Sequence, residues 1–298
     1  MERLNGRVGV VTGGAGGLGR AIGERFAREG MKVVLADVQA EPLEKTVAEC
    51  RAAGLEIIGV QTDVTKQESV DALRDATLAA YGAVHVVCNN AGIGAGAEGK
   101  MWEHELNDWK WAIGVNVMGV VHGINSFVPV MLEQGDEGHV VNTSSGNGGV
   151  SPLPSTPQYA ATKAAVVTIT ECLYGQLQET QEGKQKGKVS ASVLFPGPHI
   201  LRTGLFESWR SRTPEFAKER PRKTPYTTVE ALEAQMKAAG VDIAYTPVEE
   251  VAERVLNGIL ADEFWIHPQS DRGDAQLLAR TDSMLKRTNP TYLRAVPG

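Results

Sequence analysis

The chain of 298 residues carries a formal net charge of −6, with 42% hydrophobic and 22% charged residues. One α/β domain with an enlarged segment suits that length better than two equal domains, and the apolar share excludes a chain disordered throughout. No basic excess exists to displace counterions from a nucleic-acid backbone, so small-molecule partners are expected and nucleic acid is not.

Apolar β-branched runs alternate with stretches of helical periodicity. Residues 7–12 read as a first strand, 19–29 as a helix, 32–37 as a strand, 42–53 as a helix, 56–62 as a strand, 66–81 as a helix and 84–89 as a fourth strand. A helix over 106–132, a strand over 139–144, a helix over 158–179 and a strand over 189–195 follow, with 264–267 as a seventh strand. This alternation predicts a doubly wound, parallel, seven-stranded α/β sheet of the Rossmann type in a single domain spanning 1–298. Between Pro196 and Thr246 the strand signal disappears, and Leu205, Phe206, Trp209, Phe216 and Tyr226 are spaced irregularly among charges and prolines. Short helices over the mouth of a site are expected there, as a substrate lid over 200–246, with a C-terminal tail over 268–298.

Cys50, Cys88 and Cys172 are too scattered for a disulfide framework and form no CxxC pair, so neither a metal site nor an oxidising compartment is expected. The start, MERLNGRVGVVTGG, shows no leader pattern, and no stretch reads as membrane-spanning in length; a cytoplasmic protein without a membrane partner is expected.

The first strand ends in Thr12-Gly13-Gly14-Ala15-Gly16-Gly17-Leu18-Gly19, and a helical pattern begins at once. Glycines there permit a tight turn and close approach of backbone to a pyrophosphate, which the helix N-terminus attracts. The second strand ends at Asp37, about 20 residues on, where a carboxylate can accept hydrogen bonds from adenosine ribose hydroxyls and repel a 2′-phosphate. No cation stands at Ala15, Gly16 or Val38, so NAD is expected rather than NADP.

Tyr159 and Lys163 are four residues apart in a helical stretch, so both side chains share one face. A phenol with an ordinary pKa of about 10 needs about 4 kcal/mol of preferential phenolate stabilisation to work near neutrality. An adjacent ammonium in a partly dry site, helped by an oxidised nicotinamide, is the natural source.

The glycine turn, the run Asn89-Asn90-Ala91-Gly92, Asn116, the pair Ser144-Ser145 and Tyr159-Ala-Ala-Thr-Lys163 occur in an order that resembles the short-chain dehydrogenase/reductase family, from about Leu4 to Gly197. The resemblance implies an oxidoreductase with Tyr159 as general acid/base, Lys163 beside it, and Ser145 bonding the substrate oxygen. Fourteen positions separate Ser145 from Tyr159, one more than the family spacing, and Ser144 is the alternative. Asn116 matches the family asparagine that orders a water leading from the lysine to solvent. The implied cofactor contacts are Thr12, Gly13, Gly17, Leu18, Gly19, Asp37, Asp63, Val64, Asn90, Ala91, Gly92, Tyr159, Lys163, Pro196 and Gly197. The family's threonine after that last turn comes sooner than Thr203 does, which leaves His199, Ile200 and Thr203 open as the contact to nicotinamide. Homodimers or homotetramers through the two long helices near Asn116 and Lys163 are implied as well.

Segments 93–102, 146–157 and 201–226 are expected to border the substrate. Met101, Trp102, Val150, Leu153, Leu205, Phe206 and Trp209 then line a pocket for a medium-sized, largely apolar secondary alcohol or ketone, unless they are the lid's own small core. The stretch 264–290 resembles the tails of bacterial members that oxidise aryl or alkyl carbinols. Two other functions compete: an NAD-binding sensor or scaffold, which has no need of Ser145, Tyr159, Lys163 and Asn116 together, and an epimerase or dehydratase of the extended type, which tends to be longer.

Overall fold

Strands β1 (Val8–Thr12), β2 (Lys32–Asp37), β3 (Ile57–Gln61), β4 (Val86–Asn89), β5 (Gly138–Thr143), β6 (Val189–Leu194) and β7 (Trp265–Ile266) are all parallel and lie in the order β3-β2-β1-β4-β5-β6-β7. The computed structural model describes residues 1, 3–94, 100–183, 188–220, 228–240 and 242–294. Of the segments expected at the pocket, 95–99 and 221–226, with Tyr226, lie outside these, as do positions 227 and 241 of the expected lid and 295–298 of the expected tail.

Successive strand residues point to opposite faces, and both faces are buried, as a parallel sheet covered by crossover helices requires. Val11, Val33 and Leu35 pack with Leu18, Ile22 and Phe26 of α1 (Gly17–Arg28), Leu43 and Val47 of α2 (Ala40–Ala52), and Val251, Val255 and Ile259 of α8 (Val248–Ala261). Their neighbours Val10, Val34 and Ala36 pack the other way, with Val70 and Leu73 of α3 (Gln67–Tyr81), Phe127 and Met131 of α5 (Gly119–Gln134), and Leu173 and Leu177 of α6 (Pro157–Thr180). Each buried valine, leucine, isoleucine, methionine or phenylalanine here contributes about 1.5–3 kcal/mol, so the alternation holds both helix layers to one sheet. The strand order reverses between β1 and β4, which opens a crevice at their C-terminal ends.

The helix expected over 106–132 is broken into α4 (Leu106–Ile113), a π-helical turn (Gly114–Met118) and α5. The expectation of no membrane-length stretch needs correction: Leu106–Gln134 is long and apolar enough by length and composition, and half of its apolar 18-residue window is buried within this fold. Its buried apolar residues Phe127, Val128 and Met131 pack with α3 and the sheet, where a sheet-covering helix needs them.

The segment after β6 holds 3₁₀ helices at Gly204–Ser211 and Pro214–Phe216, then α7 (Val229–Ala238). Helix α7 falls within the segment where short helices are expected, whereas α8 and α9 (Asp271–Lys286) stand where the sequence reading placed none. In α8 the signal is present, with Val251, Val255, Leu256 and Ile259 at helical spacing and Glu249 and Glu250 in the first turn.

Candidate active site

The crevice holds a cavity of about 940 Å³ whose wall runs from Gly13, Gly17 and Asp37 to Ser145, Tyr159 and Lys163, and on to Phe206 and Gln276. At one end β1 passes into α1 through a turn that only glycine fits at key points. Gly13 and Gly17 have φ of +70° and +51°, a region that L side chains rarely adopt. A Cβ on Gly19 would stand 2.1 Å from the Gly13 carbonyl oxygen. Among the described residues no side chain caps Gly16 at the start of α1, so the first-turn N–H groups are left for the cavity.

Thr12 stands behind this wall and ties β1 to β4. Its Oγ1 accepts from the N–H groups of Asn90 and Ala91, each at 3.0 Å, and the Asn90 amide donates to the Thr12 carbonyl at 3.0 Å. Asp37 closes the far side of the turn: its carboxylate accepts from Ala15 N–H and Gln39 N–H, each at 3.1 Å. Burial pushes the carboxyl up from the ordinary aspartate range, and those backbone donors pull it back. With three backbone donors, Gln39, Ala15 and Val38, on a carboxylate of about four acceptor sites, capacity for a further donor remains. Asp63 and Val64 line the cavity after β3, where Asp63 also accepts from Thr65 N–H and hydroxyl at 3.0 and 2.7 Å.

Midway along the cavity, α6 presents Tyr159 and Lys163 on one side. The Lys163 Nζ lies 5.8 Å from the Tyr159 ring centroid and donates to the Thr143 carbonyl at 2.8 Å. Lys163 is buried, and desolvation pushes its ammonium down to about 8. Burial pushes the Tyr159 phenol up, while a hydrogen bond with Ser145 pulls it down. The serines differ in direction. Ser145 faces Tyr159 and accepts from Asn147 N–H at 3.2 Å, whereas the buried Ser144 hydroxyl donates to the Lys163 carbonyl at 2.7 Å.

Asn116 lies in the π-helical turn and does not itself line the cavity. Its Oδ1 accepts from Ile93 N–H at 2.8 Å, and its Nδ2 donates to the Ile93 carbonyl and the Thr162 hydroxyl at 3.1 and 3.0 Å. Gly92 is pressed between the two side chains: a Cβ there would stand 3.3 Å from Lys163 Nζ and 3.5 Å from Asn116 Oδ1.

After β6, Pro196 lines the cavity, while Gly197 stands behind it with its carbonyl accepting from Arg254. Of the three open candidates, His199 donates its N–H to Thr246 Oγ1 and Ile200 accepts from Thr246 N–H, both at 3.0 Å. Thr203 instead packs on the glycine turn, where a Cβ on Gly17 would meet its Cβ at 3.0 Å.

The opposite end is walled by Trp111, Val150, Leu153, Phe195, Leu205, Phe206, Phe216, Leu232 and Met236, together with His267 and Gln276. Val150, Leu153, Leu205 and Phe206 stand where the sequence reading expects them. Met101, Trp102 and Trp209 do not: they are 56%, 82% and 60% exposed and off the wall, because each sits in a short 3₁₀ element that shows one side to solvent. Phe195, Leu232, Met236 and the α9 residues were missed, since nothing in their local spacing announces a shared cavity.

A family model described as short chain dehydrogenase matches residues 7–213. The crystal structure of a short chain dehydrogenase/reductase from Burkholderia phymatum, in complex with NAD, superposes with a TM-score of 0.85 at 39% identity, over 100% of this chain and 99% of that one. The CLA biosynthesis dehydrogenase/reductase of Lactiplantibacillus plantarum is 29% identical over 90% of this chain and 91% of its own. The 1-deoxy-11-beta-hydroxypentalenate dehydrogenase of Streptomyces exfoliatus is 33% identical over 90% and 85%.

Proposed function

This chain belongs to the short-chain dehydrogenase family, and on that premise we propose that it is an NAD-dependent oxidoreductase interconverting a medium-sized, largely apolar secondary alcohol and its ketone. The observation that carries the reading is the convergence of the Tyr159 phenol, the Ser145 hydroxyl and the buried Lys163 ammonium on one cavity that also contains the glycine turn.

The residues present fit a dinucleotide. The turn admits no side chain at Gly19, the start of α1 leaves its N–H groups uncapped, and Asp37 lines the same cavity. NAD over NADP follows from the charges: Arg20, the cation just past the turn, is already paired with Glu24 and Glu49, each at 2.7 Å, and Asp37 repels a further phosphate. Asp63, Val64 and the Asn90–Gly92 backbone border the adenosine side, and Thr203, beside Gly17, is our choice for the residue nearest the nicotinamide. When bound, the nicotinamide supplies the acceptor or donor of hydride.

In oxidation, Tyr159 takes the hydroxyl proton of the substrate, and in reduction it returns one. Ser145 donates to the same substrate oxygen and fixes its distance from the phenol. Lys163, held by the Thr143 carbonyl, keeps a positive charge near the ring and favours the phenolate. Asn116 holds the Ile93 backbone and so keeps Gly92 against Lys163, with a lone pair on Oδ1 for a water that passes protons between the lysine and solvent. The apolar far wall selects an uncharged carbon skeleton, and segment 200–246 acts as its lid. The assembly we favour is a homodimer or homotetramer in the cytoplasm, built on the shallow apolar groove of Val121, Ile124, Ile169, Cys172 and Leu173 between α5 and α6.

The test is NADH absorbance with a panel of secondary alcohols. Tyr159→Phe is expected to lose about 10²–10⁴ in kcat while still binding NAD. Equal rates for the two enzymes would remove the proposed role, and tighter binding of NADP than NAD would remove the argument from Asp37.

A further inference from the structure

Helix α9 meets the rest of the chain along a narrow face. Gly273, Gln276, Arg280 and Ser283, three or four residues apart, are its half-buried positions, while Leu277, Leu278, Met284 and Leu285 are exposed. Gly273 and Gln276 border the cavity. One turn beyond Gln276, Arg280 reaches the turn that follows Ser145, where its Nη1 donates to the Val150 carbonyl at 3.0 Å and to the Gly149 carbonyl at 3.4 Å.

That turn is closed on Ser145 from several sides. The Ser145 carbonyl accepts from Gly149 N–H at 3.0 Å, and the Gly146 carbonyl accepts from Ser151 N–H at 3.1 Å. The Ser145 hydroxyl accepts from Asn147 N–H at 3.2 Å. Gly148 has φ of +105°, and a Cβ there would stand 2.2 Å from the Ala160 carbonyl, one residue past Tyr159. The turn therefore sets both the Ser145 hydroxyl and the Val150 side of the substrate cavity, and the guanidinium is what grips its outer carbonyls.

We propose that Arg280 is a positioning residue: from the C-terminal helix it holds the Gly149 and Val150 carbonyls, and through them the Ser145 hydroxyl and the Val150 wall that meet the alcohol. This rests on the role given above to Ser145. A charge-assisted bond from guanidinium to two carbonyls gives a direction as well as a distance, which a neutral side chain of α9 does not supply.

The experiment compares Arg280→Ala and the milder Arg280→Lys with Leu278→Ala on the exposed face of the same helix. For Arg280→Ala the KM for the alcohol is expected to rise about tenfold while the KM for NAD stays within about twofold, with the lysine variant between it and the parent. Amide hydrogen exchange is expected to quicken over 146–153 and to stay unchanged in β1 and β4. Unchanged exchange over 146–153, an unchanged alcohol KM, or an equal rise in both KM values would each overturn the proposal. Should the parent turn over no alcohol in the panel, the functional reading fails, and the exchange measurement still decides whether Arg280 holds the turn.

Discussion

Ser144 and Ser145 are adjacent and chemically identical, so only the direction of each hydroxyl separates their phenotypes. The Ser145 hydroxyl faces Tyr159 in the cavity, and Ser145→Ala is expected to lower kcat by about 10²–10³ with little change in Tm, as loss of one donor to a reacting oxygen does. The Ser144 hydroxyl is buried and spent on the Lys163 carbonyl. Ser144→Ala is expected to cost about 1 kcal/mol of stability, a drop of about 2–4 °C in Tm, and to leave kcat within about threefold. Steady-state rates and a melting curve on both variants check the pair; the reverse pattern would move the proposed role to Ser144. Adjacent serines were legible in sequence as a pair, but which of them faces the phenol depends on the φ and ψ of the turn after β5, which no local spacing encodes.

At the scale of elements, the glycine turn carries the most specific expectation. Gly19→Ala places a methyl carbon 2.1 Å from the Gly13 carbonyl oxygen, a backbone atom that cannot swing aside. The turn must open, so NAD affinity is expected to fall by at least about tenfold, read by titration of NADH fluorescence, with a lower Tm as α1 is lifted from β1. Wild-type affinity in this variant would show that the turn is not the pyrophosphate cradle. Strands and the helices packed on them were legible because burial on both faces writes long β-branched runs and clean helical stripes, as in Val33 and Leu35 against Ile22 and Phe26 on one face and Val34 against Val70 and Leu73 on the other. Helix α9 was not, because none of its residues is buried and its leucines face outward, so its sequence carries no stripe tied to a core. The break at Gly114–Met118 was hidden for a different reason. A π-helical turn keeps the helical pattern nearly intact and shifts only the hydrogen-bond register around Asn116.

At the scale of the whole molecule, two features lie outside the cavity. The groove between α5 and α6 is lined by the half-buried Val121, Ile124 and Ile169 in one apolar strip, and Ile169→Glu is expected to shift the particle toward monomer in light scattering; a parent that is already monomeric would sink the proposed assembly. The second feature is acid sensitivity built into the sheet. His139 on β5 is buried, its Nε2 at 2.6 Å from Ser192 Oγ on β6, and the Ser192 hydroxyl donates a hydrogen bond to the Glu263 carbonyl. With that hydroxyl committed as a donor, Nε2 carries a hydrogen and donates it in a hydrogen bond to Ser192 Oγ. Burial pushes His139 down to about 4, against the pull of Asp262 at 3.8 Å and with a small push from the N-terminal ammonium. His85 is likewise lowered by burial, and its Nδ1 accepts from Val8 N–H at 3.1 Å. Both folded-state values lie below the unfolded one of about 6.5, so the unfolded chain binds more protons in the window beneath it. Stability is therefore full above about pH 7 and, for His139, is lost as the pH falls from about 6.5 toward 4, by up to about 1.4 kcal/mol per pH unit, while His85 acts in the same direction. Urea unfolding across that range should show the decline, and His139→Asn should flatten part of it at the expense of stability near neutrality. A curve equally steep in parent and variant would mean that the proton is taken up elsewhere.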